Sequence, residues 1–208
     1  LDFAVFGEIK MKRIFVDIGA YPSWTMDVAL LPEFKMNMIY GIDPSPQHHL
    51  LLDQQYGNNS HVFIVKVGLL NKTCILPLYD EGSIGASIFR DFQNAQPNGI
   101  KTDCQFIKAS KWFAENIPIG QFVVVKMNCE ASECDILDDL MTSGEYKKIT
   151  IALVDFDVRK SPSQVYRQRE IIERAQQIGF SAMKIWPGGR NQKRHMLCNT
   201  LTLFTDTL

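Results

Sequence analysis

Lys126, Asn128 and Glu130 follow one another at intervals of two where the apolar run Phe122 to Lys126 ends. Asp155 and Asp157 stand in the same relation to a second run, Ile149 to Val154. Residues two apart in an extended chain point to one side, so each strand end offers a small polar set. Together these sets suit removal of a proton from a weakly acidic hydroxyl. Glu130 or Asp155 would be the general base, Lys126 would stabilise the developing alkoxide, and Asn128 would orient acceptor or cofactor. The structural alternative is an ion pair of Lys126 with Glu130 capping the following helix, and a first-turn carboxylate, Glu133, meeting its dipole.

A second group of residues bears on a cofactor. Ile14 to Thr25, IFVDIGAYPSWT, reads as strand, tight turn and helix. A pyrophosphate site needs several glycines so that backbone can approach the anion. Here Gly19 stands alone, Ala20 and Ser23 lie near the places for further glycines, and Pro22 lacks an amide donor. Asp17 at the strand end repels phosphate and attracts a cation. A cationic, phosphate-free nucleoside, S-adenosylmethionine, therefore suits this turn better than NAD. The next strand, Met38 to Ile42, ends at Asp43, 24 residues beyond Gly19. An acidic residue at this offset accepts hydrogen bonds from ribose hydroxyls, though a turn aspartate before Pro44 is the alternative.

Three stretches carry a family likeness: DIGAYPSWT, IYGIDPSP (Ile39 to Pro46) and VVVKMNCEASECDIL (Val123 to Leu137). They resemble the signature blocks of the FkbM family of S-adenosylmethionine-dependent O-methyltransferases, over Ile14 to Leu137. The third block departs from the family pattern, with Asn128 in place of an aspartate and Ala131 in place of a glycine. The resemblance implies a Rossmann-like class I methyltransferase fold and S-adenosylmethionine held by Asp17, Gly19, Ala20, Tyr21, Ser23, Thr25, Asp43, Pro44 and Ser45. It also implies that Gly68 and Leu69 border the adenine, that GASIF (Gly85 to Phe89) lies near the cofactor, and that the acceptor is a sugar or glycan hydroxyl. Magnesium held by Glu130, Asp155 and Asp157 is chemically conceivable, but no metal is expected.

These residues need an alternating frame to hold them. Helices are predicted over Trp24 to Phe34, Pro46 to Tyr56, Lys111 to Ile117 with Ser110 as N-cap, Ala131 to Met141 and Ser161 to Ile178. Further strands are predicted at His61 to Val67 and Cys74 to Tyr79. Glu81 to Gln105 reads as a long aperiodic connection of the kind that covers sites. Phe180 to Trp186 and Cys198 to Phe204 alternate as a closing hairpin around PGGRNQKRHML, which would bring Trp186, Arg190, Lys193, Arg194 and His195 to the acceptor. The expected fold is α/β, with a mostly parallel seven-stranded sheet, helices on both faces and an antiparallel C-terminal hairpin strand.

The chain has 208 residues, 46% of them hydrophobic, and a formal net charge of −1. That fits one domain over 1–208 and gives no reason to expect nucleic acid. Five cysteines without a CxxC pair argue for a reducing, cytoplasmic or otherwise intracellular setting. No apolar run is long enough for a membrane span, and membrane partners are not expected. A first residue of Leu1 suggests a domain excised from a longer polypeptide. Two other functions remain open: a nicotinamide-dependent oxidoreductase, and a catalytically degenerate methyltransferase fold that binds a partner.

Overall fold

The computed structural model describes residues 11–22, 24–96, 98–186 and 188–203. Residues 1–10, Ser23 and the end of the expected last strand at Phe204 lie outside these. Six strands form the central sheet: β1 (Arg13–Ile18), β2 (Met38–Ile42), β3 (Val62–Val65), β7 (Phe122–Met127), β8 (Ile151–Val154) and β9 (Met183–Ile185). Every neighbouring pair is parallel, and the order is β3-β2-β1-β7-β8-β9. β4 (Gly68–Leu70), β5 (Cys74–Tyr79) and β6 (Lys101–Lys108) make a separate mixed sheet in the order β4-β6-β5.

The strands of the central sheet read as unbroken apolar runs because both faces are covered. Ile14, Val16 and Ile18 of β1, with Val123, Val125 and Met127 of β7, pack against α3 (Ala109–Asn116), α4 (Glu133–Ser143) and α5 (Arg167–Gln177) through Phe113, Leu137 and Ile171. The alternate residues Phe15, Phe122 and Val124 meet α1 (Trp24–Ala29), α2 (Pro46–Tyr56) and α6 (Arg190–Leu201) through Met26, Leu52 and Leu197. The result is a doubly wound, Rossmann-like α/β fold whose strand order reverses between β1 and β7. Ligand crevices form there, over the carboxyl ends of the strands.

The expected C-terminal hairpin is not found among the described residues. β9 runs parallel to β8, and the segment read as the last strand lies in α6 up to Leu201, so among the described residues the central sheet has six strands and no antiparallel one. Leu197 and Leu201 are one helical turn apart and both buried, a spacing that a period-two reading of CNTLTLF conceals. Buried Arg13 then closes the helix: its guanidinium donates to the carbonyls of Leu201 and Leu203, and its Nε to that of Phe34. These are carbonyls that a helix end leaves without partners.

Other boundaries move for local reasons. The first helix stops at Ala29 because Pro32 forces Leu31 into an extended conformation (ψ 132°), and a 3-10 turn follows at Pro32–Phe34. Lys108, not Ser110, precedes α3, while the Ser110 amide donates to Asp139. The helix expected from Ser161 starts only at Arg167, since Ser161 and Ser163 bond Asp91 instead. The long connection expected over Glu81 to Gln105 ends in β6, which starts at Lys101 and buries Cys104 and Phe106 by its alternation.

Candidate functional site

Gly19 sets the geometry of the crevice. Its φ is +77°, and a Cβ built on it would sit 1.9 Å from the Asn128 carbonyl oxygen, so only glycine lets the loop after β1 cross the loop after β7. The Gly19 and Ala20 amides donate to the Ile42 carbonyl at 2.9 and 3.1 Å, fastening that loop to the end of β2. Behind it, Lys126 Nζ lies 2.8 Å from Asp17 Oδ1 and donates to the Gly19 carbonyl at 2.8 Å. Thr25 Oγ1 donates to the other Asp17 oxygen. Burial pushes the Lys126 pKa down, but Asp17 more than offsets this and the ammonium stays charged.

This overturns part of the sequence reading. Asp17 is buried outside the crevice and neutralised by Lys126, so it does not confront a ligand as a free negative charge. Lys126 pairs with Asp17 and not with Glu130. Ala20 is also buried away from the crevice, in the core formed with Phe15 and Met26.

The crevice opens into a cavity of about 450 Å³. Tyr21, Thr25, Asp43 and Pro44 line it, with Gly68, which adjoins Pro44, and Leu69. Asp43 Oδ1 accepts from the Ser45 amide (2.9 Å) and His48 Nδ1 (3.0 Å), whereas Oδ2 carries no hydrogen bond among the described residues. Ser45 does not reach the cavity: it caps α2, accepts from the His48 amide and donates its hydroxyl to Glu81. Burial pulls the His48 pKa down, and the Asp43 carboxylate, with Gly82 and Glu81, raises it above its ordinary value.

The loop after β7 adds to the lining. β7 ends at Met127, so the extended conformation does not continue to Glu130 as the spacing suggested. Glu130 (φ +50°) and Ala131 (φ +83°) both sit in the left-handed region, a strained turn for residues with a Cβ. Lys126, Asn128 and Glu130 nevertheless all border the cavity. Asn128 Oδ1 and Glu130 Oε2 are buried without a hydrogen bond. Burial first, then the nearby Asp157 carboxylate, pushes the Glu130 carboxyl up to about 8. Glu133, behind it, accepts from the Cys129 amide at 2.8 Å and is pushed up to about 7, mainly by burial.

Asp155 and Asp157 are placed otherwise. Asp155 is ion-paired with Lys193 and, at 3.4 Å, with Arg159. Asp157 is held by Arg159 and Lys160 at 2.8 and 2.7 Å. Neither borders the cavity, and no group of three or more His, Cys, Asp or Glu among the described residues is arranged to hold a metal. Trp186 borders the cavity but is otherwise buried, 5.7 Å from the Trp24 ring, with its Nε1 donating to the Lys193 carbonyl. Arg190 and Lys193 reach the cavity from the first turn of α6. Arg194 and His195 are exposed and do not, and His195 contacts Asn199 instead.

The segment between β5 and β6 covers the cavity with Ile84, Ser87 and Ile88, so the GASIF stretch does border it. Three anchors hold this cover: Glu81 accepts from Ser45 and Gln47, Ser87 Oγ donates to the Glu130 carbonyl (2.7 Å), and Asp91 accepts from Ser161 and Ser163. Sequence reasoning missed His48, Glu81 and Lys160. For His48 a signal existed: it lies three residues past the cap Ser45 with Pro46 between, a position that faces back toward the strand end.

No protein-family model and no curated protein matches the sequence. Among solved structures the chain is similar to a methyltransferase FkbM from Methylobacillus flagellatus KT, with 13% sequence identity and a TM-score of 0.47. The match covers 78% of this chain and 37% of that one, so the chain spans little more than a third of that protein's length.

Proposed function

We propose that the chain is an S-adenosylmethionine-dependent O-methyltransferase acting on a carbohydrate hydroxyl. One observation carries this reading: three blocks far apart in sequence, around Gly19, Asp43 and Asn128–Glu130, converge on a single cavity whose lining residues Asn128, Glu130 and His48 keep buried polar atoms without partners. The residues fit the donor. Asp43 Oδ2 is available to the ribose, Gly19 admits close backbone approach, Gly68 and Leu69 offer an apolar slot for a base, and Asn128 Oδ1 awaits a donor. Bound S-adenosylmethionine supplies an electrophilic methyl group. The protein must align the acceptor oxygen and remove its proton.

Glu130 is the base in this scheme. Its carboxylate takes the hydroxyl proton and returns it to solvent, and its raised pKa brings its basicity closer to that of the group it serves. Trp24 and Trp186 provide aromatic surface for a sugar ring, and Arg190 and Lys193 provide donors for its hydroxyls. The test is transfer of a labelled methyl group from S-adenosylmethionine to a saccharide panel, read by mass spectrometry of the products. Methylated sugar with wild type and none with Glu130→Gln is expected; equal product with both contradicts the role of Glu130.

A nicotinamide-dependent oxidoreductase is the second reading, favoured by the all-parallel strand order, which dinucleotide-binding sheets share. The lone Gly19 and Pro22 speak against it, because they leave few amides to cradle a pyrophosphate.

A further inference from the structure

Lys160 sits where the candidate base and the cover of the cavity meet. Its ammonium donates to Asp157 Oδ2 at 2.7 Å and stands 3.8 Å from Glu130 Oε2. The same ammonium lies 5.6 Å over the ring of Phe92, a buried residue of the cover, and the Lys160 carbonyl accepts from the Gln93 amide at 2.9 Å. A neighbouring contact ties the same segments, since Ser161 and Ser163, one and three residues after Lys160, bond Asp91, two residues before Gln93. From the other direction Ser87 of the cover donates to the Glu130 carbonyl. Cover and base therefore share a short circuit of contacts with one cation at its centre.

We propose that Lys160 is a positioning residue for this site: its ammonium orients Glu130 and stabilises the carboxylate form, while its contacts with Phe92 and Gln93 seat the cover over the cavity. The inference rests on the reading of Glu130 as the base.

The surroundings of Glu130 explain why one cation matters. Asp157 from the turn after β8 and Glu133 from the first turn of α4 both disfavour a second negative charge, and desolvation pushes the pKa of the neighbouring Cys129 thiol well up, so it stays neutral. Among the described residues, Lys160 is the cation that lies within 4 Å of the Glu130 carboxyl and opposes them. Removal of Lys160 leaves Asp157 compensated by Arg159 at 2.8 Å, so the fold keeps its charge balance there.

The experiment is a carbon-13 titration of the Glu130 carboxyl, assigned by its loss in Glu130→Gln, with amide hydrogen exchange of the cover as a second readout. Lys160→Met is expected to raise the Glu130 midpoint by at least about one unit, the effect of losing an adjacent opposite charge. It is also expected to speed exchange around Phe92 and Gln93 by about tenfold. Lys160→Arg should keep both near wild type. Should Lys160→Met not fold, Phe92→Leu tests the seating alone, and faster exchange of the Gln93 amide is the expected result. An unmoved midpoint in Lys160→Met, or unchanged exchange in Phe92→Leu, overturns the proposal. Failure of the base reading is separate: it shows as full turnover by Glu130→Gln, whatever Lys160 does to the titration.

Discussion

The loops after β7 and β8 end neighbouring strands, and both carry carboxylates at the spacing that suggested chemistry. They differ in what surrounds them. Glu130 borders the cavity with one oxygen unbonded, 3.8 Å from Lys160, on a backbone strained at two successive residues. Asp155 is enclosed by Lys193 and Arg159 outside it. Spacing reports which end of a sheet a side chain reaches; the charges brought near it by the fold decide whether it is free to react.

The largest expected effect follows from that contrast. Glu130→Gln should cut turnover by about 10²- to 10⁴-fold with cofactor affinity retained, the usual contribution of a general base. Asp155→Asn should leave turnover within a few-fold of wild type, read in the same methyl-transfer assay. If the two variants lose activity alike, the distinction between the loops fails.

A second prediction concerns the buried pair behind the cavity. Lys126→Met strands the Asp17 charge and should cost about 3–5 kcal/mol in urea unfolding. The double variant Asp17→Asn, Lys126→Met should recover much of that loss, because no uncompensated charge remains. Equal destabilisation by single and double variants would mean that the pair acts by packing alone.

The pH dependence sharpens the comparison further. The Glu130 carboxyl is raised from 4.5 to about 8 and that of Glu133 from 4.5 to about 7. The native state therefore holds more protons than the unfolded chain between roughly these limits, and stability falls as pH rises from about 4.5 to about 8. Catalytic efficiency should move the other way, rising toward a plateau above pH 8 as Glu130 ionises. A flat stability curve over that window would show that burial does not perturb these groups.

The smallest effect is expected on α6. Arg194→Ala and His195→Ala should change neither stability nor turnover beyond a few tenths of a kcal/mol, since both side chains are exposed and away from the cavity.

The first half of the central sheet was legible because its signals are local. β-branched runs ending at Asp17 and Asp43, a glycine where the loop must cross another backbone, and Pro46 opening α2 each act within a few residues. Ala131 in the left-handed region stands where the resembled family carries glycine, so the departure marks a conformational demand that the sequence already hinted at. What remained hidden depends on distant partners. Lys126 finds Asp17 across 109 residues of chain, and Lys193 finds Asp155 across 38. The closing segment satisfied two periods at once: its alternation suggested a strand, while Leu197 and Leu201 at helical spacing, capped by Arg13, stabilise a helix. β6 shows the reverse case, a polar strand whose alternating Cys104 and Phe106 were lost among the glycines of the connection before it.

Calorimetric titration of S-adenosylhomocysteine into the wild-type chain and Asp43→Ala, with NAD as the competitor, tests the central claim most directly. Binding by wild type, weakened at least about tenfold in Asp43→Ala by loss of a charged hydrogen-bond acceptor, with no heat from NAD, is the predicted result. Tight NAD binding, or equal affinity of both proteins for S-adenosylhomocysteine, would contradict it.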